Sequence, residues 1–178
     1  MRRFHNFIVS LTVTSVMVFG TAIAAKDIPQ AYRTMSQHCG APARLLYGIA
    51  LTESGRHIDG EILPWPWTIN VNGQGHFFAH REAMVAALTQ VMFSAQRQVD
   101  IGLMQLNLRY QHHRFRELDA MINPIDNLNA ACEVLLEQYF GRCNMQWWCA
   151  VGAYHAPGHA TRAQRYIERV RQWVERLH

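Results

Sequence analysis

Apolar side chains recur at three- and four-residue spacing along most of this chain, the signature of helices buried on one face. The spacing predicts a first helix capped by Asp27 and running to about Gln37, with Ala31, Tyr32 and Met35 inward. Cys39-Gly40 breaks it. Pro42 opens a second helix in its first turn, through Leu45, Leu46, Ile49 and Ala50 to Glu53, and Gly55 stops it. His80 to Gln96 reads as a third, with Met84, Ala87, Leu88, Val91 and Met92 on one face. Gly102-Leu-Met-Gln105 enters another helix, and Asn123-Pro124 begins one carrying Leu128, Ala131, Cys132, Leu135 and Tyr139 to Gly141. Trp147 to Tyr154 forms a short apolar helix. Thr161, with Gln164 three residues on, makes a capping-box start for the last, whose inward stripe is Tyr166, Ile167, Val170, Trp173, Val174 and Leu177.

Between Glu53 and His80 the period changes. Pro64-Trp-Pro-Trp67 is held extended by its prolines, and Thr68–Val71, Asn72-Gly73 and Gln74–Phe78 read as a hairpin with a tight turn. Asp59 and Glu61 fall in a loop. Val99–Ile101 adds a short strand, with Asp100 placed to cap the helix that follows. The fold class is therefore α+β, mostly α-helical, with a small β-hairpin or three-stranded sheet. No linker divides it, and 178 residues suit a single domain.

The first 25 residues stand apart from that domain. Met1-Arg2-Arg3 is a basic start, and Phe7–Gly20 is an apolar run of about 14 residues, short of the ~20 that a spanning helix needs. Thr21-Ala-Ile-Ala-Ala25 then offers a small-x-small cleavage pattern. Residues 1–25 read as a secretory signal peptide and 26–178 as the mature domain, which places the protein in the periplasm with no membrane anchor after cleavage. Removing Arg2 and Arg3 leaves 15 basic against 13 acidic side chains, a net +2 that gives no argument for nucleic acid. Arg162, Arg165, Arg169, Arg171 and Arg176 interleave with Glu168 and Glu175, as on a solvated helix face. Lys26 is the one lysine, so lysine-based covalent mechanisms are excluded from the domain's interior chemistry.

Exported chains with an even cysteine count favour disulfides, and Cys39, Cys132, Cys143 and Cys149 allow three pairings. A local Cys143–Cys149 closure with a Cys39–Cys132 helix staple is the favoured one. The competing pattern, Cys143 and Cys149 with His155 and His159 as zinc ligands, has unusual spacing, so neither metal nor cofactor is expected.

Glu53 carries the most chemical information. Leu46, Ile49 and Glu53 project from one helix face that is otherwise apolar. A carboxylate there is costly unless it is paired, is protonated, or lines a cleft. Partial burial of a carboxylate favours its neutral form, as a general acid at neutral pH requires. The other reading is a helix-end glutamate turned to solvent. Trp65, Trp67, Phe77 and Phe78 either stack on sugar faces or pack as a lid.

Three blocks in order now carry a resemblance. Cys39-Gly-Ala-Pro-Ala-Arg-Leu-Leu-Tyr-Gly-Ile-Ala-Leu-Thr-Glu53-Ser54, Gly102-Leu-Met-Gln105 and Ala153-Tyr-His-Ala156 resemble the Glu-Ser, Gly-Leu-Met-Gln and Ala-Tyr-Asn-Ala motifs of lytic transglycosylases with a goose-lysozyme-like fold. The likeness spans about residues 28–160. Pro64-Trp-Pro-Trp-Thr-Ile-Asn-Val-Asn-Gly73 with Val99-Asp-Ile-Gly-Leu-Met-Gln105 is similar to a subgroup that accompanies conjugative transfer and type IV secretion or pilus machinery in Gram-negative bacteria. The resemblance implies a lysozyme-like fold with the sheet beside a cleft, and peptidoglycan glycan strands as substrate. It implies Glu53 as the single catalytic acid/base, forming a 1,6-anhydro product. Ser54, Gln105 and Asn107 would line the sugar site, and Tyr154 would orient or polarise Glu53. His155 departs from the usual Asn, and 48 residues separate Glu53 from Gly102, a long insertion. Two alternatives stay open. One is a hydrolytic muramidase in which Asp59, Glu61 or Asp100 activates water. The other is a non-catalytic wall-binding assembly factor.

Overall fold

The computed structural model describes residues 26–94 and 98–177. The expected signal peptide, residues 1–25, lies outside the described residues. Helix α1 spans Gln30–Cys39 and α2 spans Ala43–Ser54. Strands β1 (Gly55–Ile58), β2 (Glu61–Pro64), β3 (Thr68–Val71) and β4 (Gln74–Phe77) follow, then α3 (Arg81–Met92). Next come β5 (Val99–Ile101), β6 (Leu106–Asn107), a one-turn α4 (Leu108–Gln111) and a short α5 (Leu118–Ile122). Three longer helices close the chain: α6 (Pro124–Gly141), α7 (Trp147–His155) and α8 (Ala160–Val174).

The core lies among α1, α2, α6, α7 and α8. Leu46, Ile49, Ala50, Cys132, Leu135, Ala150, Val151, Tyr166 and Val170 are fully buried there. Cys39–Cys132 staples α1 to α6, and Cys143–Cys149 closes the α6–α7 loop, so the favoured pairing is the one present. Both cysteines of the zinc pattern are thereby consumed.

Two antiparallel sheets flank this core: the hairpin β1–β2, and a four-stranded sheet in the order β4-β3-β5-β6. The sheet is one strand larger than expected, because Gly102–Gln105 is a tight turn and not the start of a helix. Asp100 accordingly caps nothing; it sits in the ladder, opposite Asn70 and Asn107. The β1–β2 hairpin replaces the predicted loop. Its turn is Asp59-Gly60, both at positive φ like Asn72-Gly73 of the next hairpin, which is the backbone that hairpin twist demands.

Several helix ends differ too. Asp27 does not cap α1: Pro29 holds Ile28 out of helical geometry, and Pro29 itself stands at the cap position, which leaves Ala31 exposed. Pro42 is likewise a residue before its helix. Thr161 lies inside α8, whose cap position is His159, so the capping box is absent. In α3 the ring of His80 caps the N-terminus, and Met92 at the far end is exposed. Gly55 does end α2, for a reason beyond propensity: a Cβ there would stand 2.3 Å from the Leu51 carbonyl oxygen.

One loop ties the halves together. Ile101 through Met104 is buried, yet Gly102–Gln105 is neither helix nor strand, so its backbone groups need other partners. Asn127, wholly buried on α6, donates from Nδ2 to the carbonyls of Ile101 (3.0 Å) and Met121 (2.9 Å) and accepts from Met104 N–H at 2.8 Å. Gly102 sits at φ +82°, where a Cβ would lie 2.8 Å from Asn127 Nδ2.

Two stability outcomes follow. Asn127→Ala orphans three buried backbone groups and should cost about 3 kcal/mol in urea unfolding, where a loss under about 1 kcal/mol would contradict the clamp. Closing a loop of 93 residues contributes more than closing one of 6. Removing Cys39–Cys132 should therefore cost about 4–5 kcal/mol, and removing Cys143–Cys149 about 2 kcal/mol, by the same measurement.

Candidate active site

Glu53 occupies the last turn of α2, with its side chain 15% exposed. It opens into a cleft of ≈ 560 Å³ between the helical core and the four-stranded sheet. The solvent-turned alternative does not hold. Asp100, Gln105, Asn107, Tyr154 and His155 line the same cleft.

Three of the sequence-predicted residues, Gln105, Asn107 and Tyr154, line the cleft. Gln105, at φ +49°, donates through Nε2 to the carbonyls of Gly102 (2.9 Å) and Thr68 (3.2 Å), which leaves Oε1 for the cleft. Asn107 donates from Nδ2 to Asp100 Oδ1 at 2.7 Å. Tyr154 lines the cleft, but its hydroxyl donates to the Met104 carbonyl at 2.8 Å and not to Glu53.

Ser54 is not a lining residue. It is fully buried, and its hydroxyl donates to the Leu103 carbonyl at 2.7 Å. Ser54 from α2, Asn127 from α6 and Tyr154 from α7 thus hold three successive parts of one loop. The Glu-Ser, Gly-Leu-Met-Gln and Ala-Tyr blocks meet at that point.

The group that touches Glu53 is one the sequence reading assigned to the core stripe. Tyr166 on α8 donates its hydroxyl to Glu53 Oε1 at 2.6 Å. Burial, and then the negative charge of Glu53, push the Tyr166 phenol well above its usual range, so it remains a donor at every physiological pH. The clue available in the sequence was a tyrosine in an inward stripe, whose buried hydroxyl must find a partner. The His155 ring lies parallel on the Tyr166 ring, centroids 4.4 Å apart and 2° between planes. Its Nδ1 is 3.8 Å from Glu53 Oε1.

Of the three candidate second carboxylates, only Asp100 lines the cleft. Asp59 is in the first hairpin turn, and Glu61 pairs with Lys26 at 3.2 Å. Burial raises the Asp100 carboxyl; the Asn107 hydrogen bond opposes this, Glu53 adds to it, and His155 opposes it. None of Trp65, Trp67, Phe77 and Phe78 lines the cleft. Trp65 donates Nε1 to the Phe78 carbonyl at 2.6 Å and has Arg56 over its ring, while Trp67 and Phe78 pack on the core. Trp67 and Phe78 thus fit the lid reading, whereas Phe77 is exposed. No group of three or more His, Cys, Asp or Glu side chains is placed to hold a metal among the described residues.

A helical core meeting a small antiparallel sheet across a cleft, with a sheltered glutamate at a helix end, defines a lysozyme-like domain. The model of the transglycosylase SLT domain matches residues 78–174, and the chain belongs to that family. No curated protein and no solved structure matches the chain. The family domain is that of a lytic transglycosylase, a glycosidic-bond-cleaving enzyme with peptidoglycan as substrate. The matched stretch contains Asp100, Gln105, Asn107, Tyr154 and Tyr166 and begins after Glu53.

Tyr166→Phe removes the hydroxyl that holds Glu53 Oε1. It should lower turnover on glycan about 10- to 100-fold while changing stability by no more than about 1.5 kcal/mol. Unchanged turnover in a sacculus-solubilisation assay would show that Glu53 is positioned by other means.

Proposed function

We propose that the protein is an exported, periplasmic lytic transglycosylase in which Glu53 is the single acid/base. The observation that carries this reading is the setting of Glu53: a carboxylate in the cleft, largely sheltered from water, with one oxygen held by Tyr166. Glu53 protonates the oxygen of the β-1,4 bond between N-acetylmuramic acid and N-acetylglucosamine as that bond breaks. It then takes the proton from the muramic C6 hydroxyl, which attacks its own anomeric carbon and closes the 1,6-anhydro ring. The nucleophile belongs to the substrate, so one proton-transferring carboxylate suffices. Gln105 Oε1, Asn107 and Tyr154 form the sugar-facing wall.

Two disulfides suit an oxidising compartment such as the periplasm. The likeness of the tryptophan and Val-Asp-Ile-Gly-Leu-Met-Gln segments to conjugation-associated enzymes supports a role in opening the wall locally for a secretion, conjugation or pilus apparatus. Components of that apparatus are then the partners.

A muramidase reading is favoured by one observation, the presence of Asp100 as a second carboxylate in the cleft. The two readings differ in product. Mature wild-type protein and Glu53→Gln are incubated with purified sacculi, and the soluble products identified by mass spectrometry. Anhydro-muropeptides from wild type, with at least about a 1,000-fold loss in Glu53→Gln, are expected. Reducing ends would favour the muramidase, and binding without turnover by either protein would favour an assembly factor.

A further inference from the structure

The register of the four-stranded sheet places Asn70, Asp100 and Asn107 directly opposite one another on β3, β5 and β6. Residues paired in this way project from the same face, and all three line the cleft into which Glu53 opens. The central member is a carboxylate and both outer members are carboxamides. Asn107 fixes Asp100 Oδ1 with its Nδ2 hydrogen bond of 2.7 Å. Asn70 is itself fixed, its Oδ1 accepting from Gly73 N–H at 2.8 Å. Among the described residues no protein group bonds Asp100 Oδ2, so that oxygen is left for a ligand.

This arrangement is costly for the fold. A carboxylate at the centre of a sheet, with another carboxylate across the cleft and no lysine or arginine lining it among the described residues, is retained against its own desolvation. The reaction proposed above has a use for it. As the glycosidic bond breaks, positive charge grows on the muramic anomeric carbon before the C6 oxygen arrives. A fixed negative charge, partly sheltered from water, stabilises that state more than it stabilises the neutral sugar.

We propose that Asp100 is a further catalytic residue, an ionised carboxylate held in the Asn70–Asp100–Asn107 row that stabilises the charge developing at the anomeric carbon opposite Glu53. It forms no bond and moves no proton. The glycosidic electron pair leaves with the oxygen, Glu53 gives that oxygen its proton, and Glu53 later recovers one from the C6 hydroxyl. This role rests on the transglycosylase reading.

The groups facing Asp100 are Glu53 from α2, His155 and Tyr154 from α7, and the two carboxamides of its own sheet. Burial raises its carboxyl above the ordinary carboxylate value. The folded state therefore holds that proton more tightly than the unfolded chain does. Stability from this group is present below the ordinary value, near pH 3–4, and is lost as pH rises through the raised value.

The test is Asp100→Asn, which keeps the shape and removes the charge. Anhydro-product release should fall about 100-fold in kcat, with KM changed by less than about 3-fold and the product unaltered. The melting temperature should rise above that of wild type at about pH 8 and match it near pH 3. A wild-type kcat with anhydro products retained would overturn this inference alone. A variant that melts well below wild type at pH 8 would assign Asp100 to the fold and overturn it as well. Reducing ends from the wild-type enzyme would overturn the transglycosylase reading and this role together.

Discussion

Everything at the cleft depends on a buried loop that cannot satisfy its own backbone. Gly102–Gln105 turns between β5 and β6 outside any regular ladder, with Gly102, Leu103 and Met104 buried away from water. Each polar group left without a partner there would cost about 1–3 kcal/mol. Three helices answer with one side chain each: Ser54 to the Leu103 carbonyl, Tyr154 to the Met104 carbonyl, and Asn127 to the Ile101 carbonyl and the Met104 amide. Because Glu53 precedes Ser54 and His155 follows Tyr154, satisfying the loop also fixes where the helix-borne acid and the imidazole enter the cleft. Because Asp100 and Asn107 flank the loop in β5 and β6, it fixes the opposite wall too. The short motifs of the three blocks are thus one hydrogen-bond problem solved from three directions.

That geometry separates two carboxylates by environment. Glu53 stands at a helix end against a phenol that stays protonated, and one of its oxygens is bound. Asp100 stands in the pleat of a sheet between two carboxamides. Groups of the same type acquire different work when their surroundings differ in this way. In the proposed reaction the first carries the proton and the second the field. His155, stacked on Tyr166, occupies the position where relatives of the resembled family usually have Asn, and among the described residues it is the one cationic-capable side chain lining the cleft.

Much of this was legible in the sequence. The long helices followed from period and from Gly and Pro punctuation, and the Asn72-Gly73 hairpin and the Val99–Ile101 strand were visible as such. Glu53 stood out because a carboxylate on the Leu46–Ile49 face needs a reason. The Asp59-Gly60 hairpin carried an equally clear turn signal, but its flanking strands alternate weakly and are half-buried, so the period gave little help. The turn at Gly102–Gln105 was unreadable locally, because its apolar residues suit a helix and its conformation is imposed by Asn127 from 23 residues away. Ser54 and Tyr154 were found as members of motifs, yet both hydroxyls serve the loop, and of the two Tyr154 alone also lines the cleft. Tyr166 was hidden for the opposite reason: its ring belongs to the core stripe, and only its hydroxyl, meeting a residue 113 positions earlier, belongs to the site.

The most direct test of the account is a crystal structure of Glu53→Gln with a bound peptidoglycan tetrasaccharide. A glycosidic oxygen is expected within hydrogen-bond distance of the side chain at position 53, with the adjoining anomeric carbon facing Asp100 and the Asn70–Asn107 row. A glycan seated elsewhere, for instance in the groove between β3–β4 and α3 lined by Val71, His76 and Val91, would contradict it.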